Sequence, residues 1–281
     1  MALTNSTARN EASRLDRLLG ERRPVVMGIL NVTPDSFSDG GQFVDSEVAI
    51  AHARRMMEEG ADILDIGAES TRPYKGALPV SLDDELARLT PVLRPVIELG
   101  LPVSVDTIKA KVAAWALEQG AAILNDVWGL QRDPDMARVA AEHGVPAIVM
   151  HNRETPDPSL DIMADVKAFF ARSLDIAAKA GIARERIVLD PGIGFGKTPD
   201  QSITMIARLG ELRSFGLPLL MGLSRKRFID SVSPSKPNQR IGGSIAGNVL
   251  SVLAGADIVR VHDVAETVQA LRVMAAIQKA R

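Results

Sequence analysis

The sequence predicts an α/β fold built as a single-domain (β/α)8 TIM barrel, and three observations predict it. Eight short apolar runs each end in a cluster of polar or glycine-rich residues. Segments of helical period alternate with them, and most stop at a glycine followed within a few residues by the next apolar run. The 281 residues suit one such barrel, whose usual size is ~250 residues. Parallel strands covered on both faces read as continuous apolar runs. Helical crossovers then bring all eight polar ends to one side, which in this fold is the active face. An open, doubly wound sheet is the alternative; it needs a topological switch point and usually fewer strands.

Residues 1–23 read as an N-terminal tail and short helix, with Met1–Thr7 loose and Asn10–Leu19 helical, and 24–281 as the barrel. Val25–Leu30 is the first strand and feeds the polar loop Asn31–Gly41. The helix Ser46–Glu59 carries Val48, Ala49, Ala53, Met56 and Met57 at helical spacing and stops at Gly60. Ile63–Ile66 leads into Gly67–Pro73, and Asp83–Leu99 stops at Gly100. Pro102–Val105 ends at Asp106-Thr107, and Lys109–Gln119 stops at Gly120. Ala121–Leu124 ends at Asn125-Asp126, and Asp135–His143 stops at Gly144. Pro146–Met150 ends at His151, and Asp161–Ala180 stops at Gly181. Ile187–Leu189 ends at Asp190-Pro191-Gly192, and Gln201–Phe215 stops at Gly216. Leu217–Met221 ends at Gly222–Lys226, and Ile241–Ala254 stops at Gly255. Asp257–Val259 ends at Arg260–Asp263, and Val264–Lys279 closes the chain. The longest loops, 31–44, 67–80 and 222–238, all follow strands; loops of that length are usually functional or disordered.

Composition narrows the chemistry. A hydrophobic fraction of 46% supports a substantial core, and a formal net charge of −2 gives no sign of a nucleic-acid or membrane partner. There is no cysteine, which excludes disulfides, thiolate metal sites and a thiol nucleophile and fits a reducing cytoplasm. Met1–Arg23 is polar and carries no signal-peptide stretch, and nothing later approaches a membrane span. Of the four histidines, His52 and His143 fall within predicted helices and read as structural, while His151 and His262 follow strands.

Asp190-Pro191-Gly192-Ile193-Gly194-Phe195-Gly196-Lys197-Thr198 is not a nucleotide P-loop, because Pro191 stands where that motif needs its first glycine. It reads either as a tight strand-to-helix turn or as a strand-end carboxylate with ligand packed against glycine backbone. Two carboxylate oxygens suit an amidine-like edge carrying parallel N–H groups. Asp106 and Asn125 also follow strands directly. A lone Asp there is often a helix N-cap, yet with Asp190 the three converge on the barrel mouth as an acceptor-rich pocket. Lys226, Arg260 and His262 supply cations at the ends of the seventh and eighth strands, where barrels often bind phosphate. Arg225–Arg227 could instead be a solvated basic run. Alternation puts Arg260 and His262 on one face, which favours an anion site. In the first loop Thr33-Pro34-Asp35 and Ser38-Asp39-Gly40 read as turns flanking a lone Phe37, the pattern of a lid or of an aromatic tucked into the core. Helix capping does not explain Glu69-Ser70-Thr71-Arg72-Pro73, since the next helix starts only near Ser81–Asp83.

Together Asn31–Gly41, Glu69–Pro73, Ser104–Thr107, Asn125–Val127, Asp190–Lys197, Ser224–Lys226 and Arg260–Asp263 resemble, in order, the motif set of the dihydropteroate synthase family. That resemblance implies a (β/α)8 transferase of folate biosynthesis. It joins 6-hydroxymethyl-7,8-dihydropterin diphosphate to 4-aminobenzoate and releases pyrophosphate. It implies that Asp106, Asn125 and Asp190 hold the pterin's amide and amino edge. Lys226 would reach the pterin carbonyl, and Arg260 would stack on the pterin and contact the diphosphate. Asn31, Arg72 and His262 would bind the diphosphate, Asn31 also touching Mg2+, and Asn31, Asp39, Lys226 and Arg260 form the catalytic group. Phe37, Ser70, Thr71, Pro73 and Ser224 would shape the aminobenzoate pocket, with Phe195 and Met150 packing near the pterin. The family reaction is dissociative, with Mg2+ assisting departure of the diphosphate. Closure of loops 31–41 and 70–80 would keep water from competing with the arylamine.

The resemblance also implies a cytoplasmic homodimer, joined through helices near the C-terminus, and a target of sulfonamides. Two departures stand out: Tyr74-Lys75-Gly76 lengthens the second loop, and Asn152–Pro156 replaces the family's segment after Met150-His151. Two rivals share parts of the pattern. A methyltetrahydrofolate-binding barrel would keep the Asp/Asn pocket without needing the cationic end or the long first loop. A binding or regulatory paralogue would keep pterin binding without turnover.

Overall fold

A computed structural model describes residues 15–21, 23–33, 42–69 and 80–280. Eight strands run parallel: β1 (Val25–Asn31), β2 (Ile63–Gly67), β3 (Val103–Asp106), β4 (Ile123–Asp126), β5 (Ala147–Met150), β6 (Ile187–Asp190), β7 (Leu220–Met221) and β8 (Ile258–Val261). Their order is β6-β5-β4-β3-β2-β1-β8-β7, and a parallel bridge from Leu189 to Leu219 brings β6 against β7, so the sheet nearly closes on itself. The helices between them are α1 (Gln42–Glu58), α2 (Leu82–Ile97), α3 (Ala110–Glu118), α4 (Met136–His143), α5 (Ile162–Ala180), α6 (Pro199–Ala207), α7 (Arg227–Val232), α8 (Ile241–Leu253) and α9 (Val264–Lys279). The barrel expected from the apolar runs is the fold observed.

The strand period of two divides each strand between two cores. Outward residues such as Leu64, Ile66, Val105, Leu124, Val149, Leu189 and Val259 pack with Met56, Leu93, Phe170 and Met205 of the helices. Inward residues at the N-terminal end form a separate cluster of Val25, Met27, Ile63, Ile123, Ile148, Val188, Leu220 and Ile258. Leu15, Leu18 and Leu19, from a helical turn over residues 15–20, close that end of the barrel. Each fully buried aliphatic side chain contributes about 1.5–3 kcal/mol. Both cores are therefore large enough to hold a second inward layer that is polar.

Helix ends follow local chemistry. Gly144 and Gly181 end α4 and α5 in the left-handed region, at φ 64° and 86°. Thr198 and Gln201 form a reciprocal capping box at the start of α6. The structure corrects three expected boundaries. First, α1 begins at Gln42 rather than Ser46. Second, the single helix expected over Gln201–Phe215 breaks after Ala207 and continues as a 3₁₀ turn, Leu209–Phe215. Gly210 weakens the α-helix there, and Glu211 N bonds to Arg208 O instead, three residues back, at 3.0 Å. Third, the expected loop 222–238 contains the short helix α7. No described helix is long and apolar enough to cross a membrane.

Candidate active site

Two residues along the inward faces from the apolar plug, the side chains turn polar. Asp65 stands mid-strand on β2, where register pairs it with Ser104 of β3, and Asp106 pairs with Asn125 of β4. Arg260 enters from β8 and ties this layer together. Its Nε donates to Asp65 Oδ2 at 2.5 Å and its Nη2 to Asp106 Oδ2 at 2.9 Å. Asn125 Nδ2 donates to both Asp65 oxygens at 3.1 and 3.3 Å. Asp65 is thus the central acceptor, wholly buried, and sequence reasoning missed it. The available signal was a carboxylate inside the otherwise apolar run Ile63–Ile66, since a charge buried on a barrel strand must have a partner.

Asp106 Oδ1, Asn125 Oδ1 and Ser104 Oγ are buried without a hydrogen-bond partner. Buried acceptors of this kind are usually paired, so the layer presents acceptors toward the barrel mouth. Burial pushes the Asp106 carboxyl up to about 7, against the pull of Arg260. Asp106 is therefore no helix cap: Lys109 occupies the cap position of α3 and makes no side-chain cap bond. Burial draws the Arg260 guanidinium down, but Asp65 and Asp106 outweigh it and hold the group above its ordinary range.

Asp190 ends β6 beside Met150 of β5, its register partner. The turn after it folds back, so that Gly192 N donates to Asp190 Oδ1 at 2.7 Å. Gly192 has φ +66°, and a Cβ there would lie 2.0 Å from His151 O. Only glycine fits that conformation and that approach. A Cβ on Gly222 would lie 3.8 Å from Asp190 Oδ2 and 3.9 Å from Arg260 Cβ, so carboxylate and guanidinium stem flank one narrow space. Burial raises the Asp190 carboxyl, opposed first by Lys226. Lys226 Nζ bonds to Ile193 O and lies 4.5 Å from the centre of the Phe195 ring. Asp190, Lys226, Phe195 and Met150 are thereby brought together, and of the basic segment Arg225–Arg227 only Arg227 is exposed. Arg225 pairs with Asp263 through Nε at 3.0 Å and through Nη2.

At the other side of the mouth, Ser224 Oγ accepts from His262 N at 3.3 Å and lies 3.1 Å from His262 Nδ1. Asn31 and His262 line a cleft of about 530 Å³ with Ile29, Val48, Ala51, His52 and Arg55. His52 Nδ1 accepts from Arg55 Nη2 at 2.7 Å, so it lies in α1 as expected and also faces this cleft. Mg2+ prefers one or two protein oxygens, phosphates and retained water. An amide oxygen at the end of β1, facing a cleft that also holds the Arg55 guanidinium, a group that suits phosphate, fits that donor set.

Phe37, Asp39, Ser70, Thr71, Arg72 and Pro73 lie outside the described residues. Glu69, just before them, has a clear role: it accepts from Val80 N at 3.1 Å and from Lys109 Nζ at 2.5 Å. Lys109 also reaches the buried Glu85 at 2.6 Å, which in turn accepts from Thr107 at 2.7 Å. Glu69 caps no helix, in keeping with the sequence argument.

A barrel mouth lined by buried carboxylates and an amide, with cations beside them, is the chemistry that suits a ligand rich in N–H donors. The sequence model of the family described as pterin binding enzyme matches residues 27–262. The dihydropteroate synthase of Bacillus subtilis is 46% identical over 258 residues, 92% of this chain and 90% of the relative. Among solved structures, dihydropteroate synthase from Clostridium difficile, solved in the presence of pteroic acid, superposes with a TM-score of 0.87. It is 47% identical and covers 91% of this chain and 97% of its own. The Xanthomonas albilineans dihydropteroate synthase with 4-aminobenzoic acid also gives 0.87, at 44% identity and 92% and 94% coverage. The chain belongs to the dihydropteroate synthase family of pterin-binding enzymes. It is accordingly a transferase of folate synthesis.

Proposed function

We propose that the barrel condenses 6-hydroxymethyl-7,8-dihydropterin diphosphate with 4-aminobenzoate by dissociative substitution. The observation that carries this reading is the buried acceptor layer of Asp106, Asn125 and Asp190 around Arg260. These groups accept the pterin's N–H edge, while Lys226 donates to its carbonyl and Phe195 and Met150 bound the ring. Arg260, oriented by Asp65 and Asp106, stacks on the pterin and reaches the diphosphate with Asn31, His262 and Arg72. Asn31 and the diphosphate oxygens would hold Mg2+, which when bound neutralises charge on the leaving group. The methylene C–O bond breaks with its electron pair passing to the diphosphate, and the arylamine nitrogen then forms the C–N bond and loses a proton. Phe37, Ser70, Thr71, Pro73 and Ser224 shape the aminobenzoate pocket, and Asp39 acts from the first loop. The ligands named for the Clostridium and Xanthomonas structures, pteroic acid and 4-aminobenzoic acid, support this substrate pair.

The deciding experiment is pyrophosphate release by the purified protein given dihydropterin diphosphate and Mg2+, with and without 4-aminobenzoate. Release dependent on aminobenzoate, with dihydropteroate identified by mass, is expected. Folded protein that binds the pterin but makes no product would instead be a pterin-binding paralogue.

The working form is a cytoplasmic homodimer. α8 and α9 present an apolar groove of Val249, Leu253, Ala270, Val273, Met274 and Ile277, and Leu253, Val273 and Ile277 are each more than half exposed. Contiguous apolar surface of this kind favours association. Sedimentation equilibrium is expected to give twice the chain mass, and Val273→Glu to give one; a wild-type monomer at micromolar concentration would refute the dimer.

A further inference from the structure

The turn from Asp190 to Lys197 carries two walls of the pterin pocket, the Asp190 carboxylate and the Phe195 ring, yet its last residue is used elsewhere. Lys197 is 6% exposed. Its Nζ donates to His151 Nδ1 at 2.6 Å, to Gly192 O at 2.9 Å and to Phe195 O at 3.1 Å. Burial draws the Lys197 group well below its ordinary range, opposed first by Asp190, yet its three acceptors match the three hydrogens of an ammonium group. Because Nδ1 accepts, the His151 proton sits on Nε2, which donates to Asp165 Oδ2 at 3.0 Å. Arg153 Nη1 in turn holds both Asp165 oxygens, at 3.0 and 3.1 Å.

His151 grips the same turn with its main chain. Its N donates to Asp190 O at 2.9 Å, and its carbonyl fills the space where Gly192 lacks a Cβ. The ring is braced by Phe169, edge to face at 4.8 Å between centroids. Burial and the neighbouring Lys197 charge push His151 down to about 3, so its Nδ1 lone pair is available at neutral pH. On the opposite side of the turn, Lys226 bonds to Ile193 O. The carbonyls of residues 192, 193 and 195 are therefore divided between two lysines, one facing the pocket and one behind it.

We propose that Lys197, acting through His151 and Asp165, is a positioning residue for pterin recognition: it fixes the Asp190–Phe195 turn from behind so that carboxylate and ring meet the pterin. The inference rests on the pterin reading of the pocket. It also accounts for Gly196-Lys197-Thr198 without any phosphate, since Lys197 is committed and Thr198 caps α6.

The test is Lys197→Met in the full chain, which keeps the aliphatic stem and removes the three donors. The KM for dihydropterin diphosphate is expected to rise at least tenfold, while the KM for 4-aminobenzoate stays within twofold of wild type. Ser173→Ala serves as the control; it removes a buried α5 hydroxyl that bonds to Gly129 O at 2.7 Å, and it should move neither constant. Should Lys197→Met not fold, Asp165→Ala, which removes the outermost acceptor, is expected to show the same selective rise at about threefold. An unchanged pterin KM, or a parallel rise in both constants, would overturn the positioning role. Asp190→Asn run alongside separates the two ideas. Weak pterin binding there with normal binding in Lys197→Met defeats only the positioning role, whereas normal binding in Asp190→Asn defeats the pocket itself.

Discussion

Arg260→Ala is expected to reduce turnover by about 10²–10³-fold, the usual loss when one preorganised donor to a developing anion is removed. It is also expected to destabilise the fold by about 3–5 kcal/mol, as when one partner of a buried ion pair is deleted. The double effect follows from the position of the guanidinium. Asp65 and Asp106 are both buried, and Arg260 donates to each, at 2.5 and 2.9 Å. Without it, two carboxylates share a dry layer with Asn125 as the only described side-chain donor to Asp65. Asp106, already pushed up to about 7, loses the charge that holds it down and takes up a proton, which spoils it as an acceptor. Arg260→Lys separates the two effects. It keeps a positive charge but not the fork that spans two acceptors, so it should recover much of the stability and little of the turnover. Thermal unfolding and steady-state pyrophosphate release, measured together, check both statements. Near-normal kinetics in Arg260→Ala would remove Arg260 from the diphosphate and pterin assignments.

The barrel was legible because burial on both faces leaves a strong mark, a continuous apolar run, and because glycine ends most of the helices. α7 left no such mark: at six residues it is too short to show a periodicity, and it lies in a polar segment. Asp106, Asn125, Asp190 and Arg260 were legible for a related reason, since each follows or ends an apolar run and the fold gathers those ends. Asp65 escaped because it sits inside a run, one turn of the two-residue period below the rim. Lys197 escaped because its sequence neighbours invite a phosphate reading, and discarding that reading left it without a task. Its partners, His151 and Asp165, lie on other elements, and no spacing along the chain brings the three together. Sequence pattern thus located the groups that the fold gathers at the barrel mouth, whereas the groups that hold them in place are defined by long-range contacts alone.

Asp190→Asn is expected to weaken pterin binding by about 1.5–3 kcal/mol, roughly 10- to 150-fold, while leaving stability unchanged or raised. Asparagine has the same shape, and its Oδ1 can keep the 2.7 Å bond from Gly192 N, so the turn persists. The second position then carries an NH2 group facing the pterin's own N–H, and an attraction becomes a repulsion. Stability moves the other way for a reason set by linkage. Burial raises the Asp190 carboxyl in the folded chain above its unfolded value. The folded state therefore binds the proton more tightly, and stability is lost as pH rises through that interval. Above that interval the wild-type chain bears the desolvation of an ionised, buried carboxylate, offset first by Lys226; the neutral amide does not. A site built for function rather than stability should show this opposition. Calorimetric titration with dihydropterin diphosphate, paired with denaturant unfolding of the ligand-free protein, reads both quantities. Undiminished affinity would refute Asp190 as a pterin acceptor, and a large loss of stability would mean that the carboxylate serves the fold instead.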